Sequence, residues 1–129
     1  MRLPFSLFIL FIANLSFAQK KIGLKDVSKH IGDTVRVEGK IFDAKTFPDN
    51  PKARTLLNLG GDFPNQTLSI AVFPSYKSDV IVMPTEDNKG DIAIVIGKIE
   101  LYKGKPQIAV RTPEGLRIAS GEFITPAKQ

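Results

Sequence analysis

The sequence predicts an all-β domain whose small sheet curls into a closed barrel. Two observations predict this class: five segments have the apolar pattern of strands, and the two longest carry a glycine in mid-strand, Gly39 and Gly97. A glycine inside a strand packs nothing and marks a bulge or a sharp bend. Long strands bent at glycine allow a small sheet to close on itself. The alternative is a sandwich in which both glycines are incidental.

A hydrophobic leader precedes the domain. Of the first 18 residues 13 are apolar, Arg2 supplies a basic start, and small residues occupy positions 16 and 18. This pattern predicts a secretory signal peptide cleaved before Gln19, and an apolar core of about 15 residues is too short to span a bilayer comfortably. We therefore expect an exported protein, periplasmic or extracellular, without a membrane anchor after cleavage.

The chain that remains after cleavage is long enough for one compact domain and too short for two. We expect a linker over residues 19–23, the domain over residues 24–118 and a tail over residues 119–129. The sequence has no cysteine, which excludes disulfide scaffolds, thiolate zinc sites and thiol nucleophiles.

The first two elements of the domain are a short helix and a long strand. Residues 24–31 have apolar side chains at helical spacing, and Gly32 follows as a stop signal. Residues 33–45 then alternate strictly between apolar and polar side chains, which predicts a half-buried first strand. Two prolines between residues 47 and 51 take the chain out of the sheet.

The next two strands are short and form a hairpin. Residues 56–59 and 68–72 are apolar, and the glycine-containing segment between them predicts the connection. A connecting segment bracketed by Pro74 and Pro84 follows. It forms either a short helix between the third and fourth strands or an extended cover over an open end of the barrel.

The last two predicted strands lie either side of a tight turn. Residues 92–102 form the longest apolar stretch of the domain and predict the fourth strand. A turn over residues 103–105 leads to the fifth strand, residues 107–111. A final apolar pair precedes a tail that we expect to be loose beyond Phe123.

Charge is distributed unevenly along the chain. Removal of Arg2 leaves 17 basic and 13 acidic residues, a net charge of +4, which is mild for a dedicated nucleic-acid binder. Residues 45–54 and 98–117 are rich in bases, whereas residues 79–91 carry four acids against one lysine. The pattern indicates either a polarised surface or an ordinary solvated rim.

Three stretches of the chain resemble a known fold family. They are residues 33–41 (DTVRVEGKI), 57–67 (LNLGGDFPNQT) and 97–108 (GKIELYKGKPQI). All three are similar to the single OB domains of secreted bacterial proteins, and the third is also similar to a motif in OB modules attached to extracellular nucleases. The resemblance covers residues 24–118 and implies the OB-fold, a five-stranded Greek-key barrel.

The resemblance also implies a binding site. Ligands in this family lie across strands 2 and 3, between the loops that join strands 1 to 2 and strands 4 to 5. Those loops correspond here to residues 45–54 and 103–105, both basic, and the acidic segment lies on another connection. The resemblance thus implies a module for single-stranded nucleic acid or another polyanion. The residues expected to contact the ligand are Lys45, Lys52, Arg54, Phe63, Phe73, Lys103, Lys105 and Arg111.

The aromatic residues depart from the family pattern. Related domains tend to place aromatic residues for base stacking around positions 56, 59 and 68, which are all leucine here. We therefore expect weak, salt-sensitive binding. Phe47, Phe63, Phe73 and Tyr76 are the rings placed within reach of the cleft, whereas Phe42 and Tyr102 are expected in the core or at its flank. For each of these rings, packing at the barrel rim is the favoured interpretation and contact with a ligand is the alternative.

The sequence offers little for catalysis. His30 is the only histidine, which leaves almost nothing for a catalytic triad or a multi-histidine metal site. Asp43 and Asp62 lie at strand ends, but no spacing rule makes them a metal site. We expect no enzymatic activity, no metal and no cofactor, in a module that is monomeric or weakly associating.

Two other functions stay open on the same fold. One is an envelope accessory domain in which the exposed hairpin or an edge strand pairs with a partner protein. The other is the binding of an oligosaccharide, a ligand class that OB-folds also accept.

Overall fold

The computed structural model describes residues 20–47, 49–50, 52–74 and 83–120. The expected signal peptide, the tail beyond residue 120, Tyr76 and most of the connection between Pro74 and Pro84 lie outside these residues. No helix within the described ranges is long and apolar enough to cross a membrane.

The described residues form eight strands and three short 3₁₀ helices. The strands are β1 (Lys20–Ile22), β2 (Thr34–Lys45), β3 (Thr55–Leu59), β4 (Leu68–Val72), β5 (Ile92–Lys98), β6 (Glu100–Tyr102), β7 (Lys105–Val110) and β8 (Leu116–Ala119). The 3₁₀ helices span Leu24–His30, Glu86–Asn88 and Pro113–Gly115.

The five predicted strands all exist, but the predicted count of five is wrong for the described chain. The expected fourth strand is divided at Ile99 into β5 and β6. The additional strands β1 and β8 contain only three and four residues, which is too short for a recognisable alternation. The predicted N-terminal helix is present as the first 3₁₀ helix, which ends one residue earlier than expected.

The sheet closes into an OB-like barrel. Its strand order is β6-β7-β4-β3-β2-β5-β8, with β1 parallel to β2. β5 continues through Ile99 into β6. This single run of chain therefore pairs with β2 through its first half and with β7 through its second half, near opposite ends of the strand order. Backbone hydrogen bonds hold Ile99 at this junction, from Gly32 N to Ile99 O (2.7 Å) and from Ile99 N to Asp33 O (3.0 Å).

The predicted bend of the first long strand is present in β2. Residues 34–40 pair with β5 and residues 41–45 pair with β3, so the strand belongs to both halves of the barrel. The register shift between Ile41 and Asp43 shows that the extra residue of the bulge is Phe42 and not Gly39. Gly39 instead allows a close approach, because a Cβ there would lie 2.7 Å from Leu24 Cδ1.

The core is filled by the inward faces of the barrel strands. The fully buried residues include Val35, Val37, Ile41, Leu57, Leu59, Leu68, Ile70, Val72, Val95, Ile99 and Ile108. Val27 from the first 3₁₀ helix joins this cluster. The outward faces of β2, β3, β4 and β7 are therefore free to form a surface site.

Candidate functional site

A cleft of about 740 Å³ lies on the outer face of β3, β4 and β7. It is bounded by residues from the β2–β3 loop, the β3–β4 loop and the β6–β7 turn. The volume falls within the range of about 300–1,000 Å³ that is typical of ligand pockets. This is the face on which the family resemblance places a ligand.

The cleft collects basic side chains from distant parts of the sequence. Lys45 ends β2 and Arg54 lies in the β2–β3 loop, whereas Lys103 lies in the β6–β7 turn and Lys105 begins β7. Asp43 is the one acidic residue among the described residues that line it. The two predicted basic loops therefore face each other across one positively charged cleft.

The turn that carries Lys103 has a defined backbone geometry. Lys103 has φ 54° and Gly104 has φ 81°, so both central residues of the turn are left-handed. Consecutive left-handed residues form the turn that best matches the twist of a two-residue hairpin. The turn thus fixes the direction in which Lys103 leaves the β6–β7 ribbon.

Lys52 does not line the cleft, contrary to the prediction. Its backbone N–H donates to Asn50 Oδ1 at 3.0 Å, which is a local turn within the β2–β3 loop. The sequence placed Lys52 at the cleft because it lies in a basic loop. Periodicity gives no direction to a loop side chain, so this part of the prediction had no geometric basis.

Phe73 and Arg111 also lie away from the cleft. They pack against each other, with the guanidinium carbon of Arg111 4.1 Å from the centroid of the Phe73 ring. The parallel register of β4 and β7 explains the pair, because Val72 faces Val110 and the next residues leave the sheet together. Ser69 lies in the cleft four residues earlier, a distance of about 13 Å along a strand.

Three aromatic rings line the cleft: Phe47, Phe63 and Tyr102. Their exposed fractions are 37%, 69% and 49%. The predicted place of Tyr102 in the core or at its flank is therefore wrong. Glu100, Leu101 and Tyr102 are all exposed, because β6 runs beyond the core as part of a two-stranded ribbon with β7.

Each of two opposite sides of the cleft carries a cation beside an aromatic ring. Lys45 Nζ lies 5.6 Å from the centroid of Phe47, and Lys103 Nζ lies 5.4 Å from the centroid of Tyr102. Both separations fall within the range of a cation–π contact. The positive charge and the aromatic surface of the cleft are therefore interleaved.

The three strand positions at which related domains place aromatic residues do not all face the cleft. Leu59 and Leu68 are fully buried and face each other inside the barrel, so a ring there would belong to the core. Leu56 alone of the three lines the cleft. The aromatic surface of this cleft is supplied by loops and by the β6–β7 ribbon, and not by the middle of the sheet.

A hydrogen-bonded chain of polar side chains forms the floor of the cleft. Asn58 Nδ2 donates to Asp43 Oδ1 at 2.7 Å, and Ser69 Oγ donates to Asn58 Oδ1 at 3.1 Å. Gln66 Nε2 extends the chain by donating to Ser69 Oγ at 3.1 Å. Asn58 is only 6% exposed, so the network fixes a nearly buried amide. Sequence reasoning missed it, although an asparagine within the apolar segment TLLNL was a signal.

The network gives Asp43 a structural role. The sequence analysis considered this residue as a metal ligand. Its side chain accepts a hydrogen bond from Asn58. Within the described ranges, no three side chains of the metal-binding types come together. His30 lies elsewhere, with its Nδ1 3.0 Å from Asp33 Oδ2.

Comparisons with known proteins address the fold. No protein-family model matches the sequence, and no curated protein matches it. A solved structure assigned as an aspartyl-tRNA synthetase from Leishmania major Friedlin is similar with a TM-score of 0.51 at 9% identity, over 89% of this chain. The telomere capping protein Ten1 from Saccharomyces pombe matches with a TM-score of 0.42 at 16% identity, over 86% of this chain and 89% of its own. This chain spans 25% of the length of the synthetase, and the similarity to that quarter is one of fold alone.

Proposed function

We propose that this chain is an exported OB-like module that binds single-stranded nucleic acid, or another polyanion, without catalysing a reaction. The observation that carries the proposal is the convergence in one cleft of basic side chains from two distant loops with three exposed aromatic rings. Proteins that bind single strands combine these two elements, because cations follow the phosphates and rings stack on the bases.

The charges support binding that depends on the backbone of the ligand. Lys45, Arg54 and Lys103 lie on opposite sides of the cleft, and none has an ion-pair partner among the described residues. Phosphates that contact such groups release condensed counterions, so the affinity should fall steeply with salt. A chain with this modest net charge should bind weakly at physiological ionic strength.

The rings support a ligand with flat, unpaired bases. Phe47 and Tyr102 each have a lysine near one ring face, and a planar ring has a second face that can accept a base. Phe63 is the most exposed of the three. Stacking contributes about 1–3 kcal/mol per base and depends little on base identity.

The hydrogen bonds at the floor of the cleft favour binding that depends little on the base sequence of the ligand. The carbonyl oxygen of Asn58 and one of its amide hydrogens are engaged by Ser69 and Asp43. Base-specific recognition needs free donors and acceptors aimed at base edges. Since the amide of Asn58 is already hydrogen-bonded within the protein, we expect similar affinities for different oligonucleotide sequences.

The test is a titration of the exported chain with fluorescently labelled (dT)15 followed by anisotropy at several NaCl concentrations. Replacement of Lys45 or Lys103 by alanine should reduce the slope of log K against log salt by about 0.7 each, the value for one phosphate contact with a single strand. Lys52→Ala is the matched control, because it removes the same charge from the β2–β3 loop, outside the cleft lining.

Two results would reject the proposal. One is no binding of either (dT)15 or heparin at low salt, and the other is an equal loss of affinity in Lys52→Ala and Lys45→Ala. Binding of heparin without binding of (dT)15 would support a polyanion as the ligand and would exclude single-stranded nucleic acid. Incubation of the complex with Mg²⁺, followed by electrophoresis of the intact oligonucleotide, tests the absence of catalysis. Cell fractionation tests the export.

A further inference from the structure

In the part of the chain that the structure describes, the last strand of the sheet leaves an open edge. β8 pairs with β5 through residues 116–119 and 92–95, and no strand of the described chain covers its other side. Exposed strand edges pair readily with other chains, and proteins commonly protect them with lysine or proline. β1, at the periphery of the sheet, carries exposed Lys20 and Lys21. β8 has the sequence LRIA, with no proline and a single charge at Arg117.

An apolar groove of about 310 Å³ lies beside this edge, on the outer face of β5. Its floor is formed by Ile94 and Ile96, which are only half-buried. The register places Arg36 opposite Ile96 on one side and Arg117 opposite Ile94 on the other. This register places Arg117 on the outward face of the sheet, beside the open edge of β8.

One of the two arginines that line the groove has no ion-pair partner among the described residues. Arg36 is near Glu38, with Nη2 3.4 Å from Oε2. Arg117 is exposed and has no ion-pair partner among the described residues. Glu114 is the single acid that lines the groove. A partner that approaches the β8 edge therefore gains from carrying a carboxylate opposite Arg117.

We propose that the open edge of β8 accepts an extended segment of a partner protein as a further strand, a segment that alternates apolar and acidic residues. The apolar residues would extend the packing of Leu116 and Ile118, which already contact the core, and the acidic residues would face Arg117. The added strand would satisfy the free backbone groups of β8. A second copy of the chain fits less well, because antiparallel pairing of two β8 strands brings the like charges of two Arg117 side chains together.

This site is separate from the proposed polyanion cleft. No residue of β8 lines the cleft, and no residue of the cleft lines the groove. The module could therefore be recruited by a protein while the cleft stays open to its own ligand. Failure of one proposal leaves the other standing.

The test titrates the peptide fluorescein-VEVEVEV-amide with the exported chain and follows the fluorescence anisotropy. Arg117→Glu should weaken binding of this peptide at least about fivefold and strengthen binding of fluorescein-VKVKVKV-amide, because the substitution reverses one cross-strand charge pair. Lys89→Glu is the matched control, because it makes the same charge change at an exposed turn outside the groove. Hydrogen exchange should show new protection of the β8 amides when the acidic peptide is bound.

Several outcomes would overturn the proposal. Equal binding to the wild type and to Arg117→Glu, or equal binding of a peptide N-methylated at alternate residues, would exclude strand addition at this edge. Competition by (dT)15, or loss of peptide binding in Lys103→Ala, would place the peptide in the cleft. Binding only after deletion of residues 121–129 would assign the edge to the chain's own C-terminal segment, and self-association abolished by Arg117→Glu would assign it to a second copy.

Discussion

Lys105 and Pro64 are 41 residues apart in the sequence, and the ammonium of Lys105 donates a hydrogen bond of 2.6 Å to the carbonyl oxygen of Pro64. The bond connects the β6–β7 ribbon to the β3–β4 loop, two of the three segments that border the cleft. Pro64 follows Phe63, the most exposed ring of the cleft. Lys105 is therefore placed to hold the Phe63 loop against the ribbon.

We predict that Lys105→Ala and Lys103→Ala weaken (dT)15 binding in different ways. Lys105 is already engaged with a backbone carbonyl, so its loss should loosen the Phe63 loop and lower the affinity about threefold at every salt concentration. Lys103 makes no such bond, and its loss should reduce the salt slope by about 0.7. The measurement is log K against log NaCl for each variant. A slope reduction of that size in Lys105→Ala would show that Lys105 leaves Pro64 to contact phosphate.

We predict that Phe63→Ala weakens (dT)15 binding by about fivefold to 150-fold, the equivalent of one lost stack of about 1–3 kcal/mol. The ring is 69% exposed, so its removal should leave the thermal stability nearly unchanged. Phe73→Ala is the matched control, because that ring packs on Arg111 outside the cleft and its loss should not alter the affinity. Equal losses of affinity in the two variants would contradict the assignment of Phe63 to the cleft surface.

Tyr102 offers an independent measure of stacking. The chain has two tyrosines and no tryptophan, so tyrosine dominates its fluorescence. We predict that saturating (dT)15 quenches this emission in the wild type and that Tyr102→Phe reduces the quenching while retaining the affinity within about twofold. Quenching of the same size in Tyr102→Phe would mean that the ring does not contact a base.

The polar floor of the cleft should contribute to stability as well as to shape. We predict that Asn58→Ala lowers the free energy of unfolding by about 1–3 kcal/mol, because it removes the hydrogen bonds that a nearly buried amide makes to the part-buried Asp43 and Ser69. Chemical denaturation monitored by circular dichroism measures the change. Asn65→Ala, in the exposed β3–β4 loop, is the control and should be neutral. A neutral Asn58→Ala would show that water replaces the network.

Part of the fold could be predicted because it depends on periodicity. The alternation in β2 identifies its buried face directly, and Gly39 lies two residues before Ile41, where β2 passes from pairing with β5 to pairing with β3. The cleft position came from the resemblance to the OB-fold, in which ligands lie between the two basic loops. Of the basic residues expected there, Lys45, Arg54, Lys103 and Lys105 line the cleft.

The remaining errors concern features that periodicity does not encode. Phe73 and Arg111 leave the cleft because of the parallel register between β4 and β7, a long-range pairing with no local signature. Tyr102 enters the cleft because β6 extends beyond the core, which depends on the break at Ile99. Lys52 is oriented by a turn inside a loop. The network around Asn58 depends on three strands coming into register at once.

The two mid-strand glycines provide the sharpest test of the barrel. A Cβ at Gly97 would lie 2.6 Å from Ile108 Cγ2, a branch methyl of a fully buried side chain. A Cβ at Gly39 would lie 2.7 Å from Leu24 Cδ1, the end of a flexible and only partly buried side chain. Leu24 can change rotamer, whereas Ile108 has no free space to occupy.

We therefore predict that Gly97→Ala destabilises the domain by about 1–3 kcal/mol and that Gly39→Ala costs clearly less. Gly23→Ala is the control, since a Cβ there meets nothing within 4 Å and the backbone at φ −89° accepts any residue. Thermal unfolding of the three variants gives the order directly. An unchanged melting temperature in Gly97→Ala would mean that β5 and β7 do not approach each other as a closed barrel requires, and the cleft between the two basic loops would lose its structural basis.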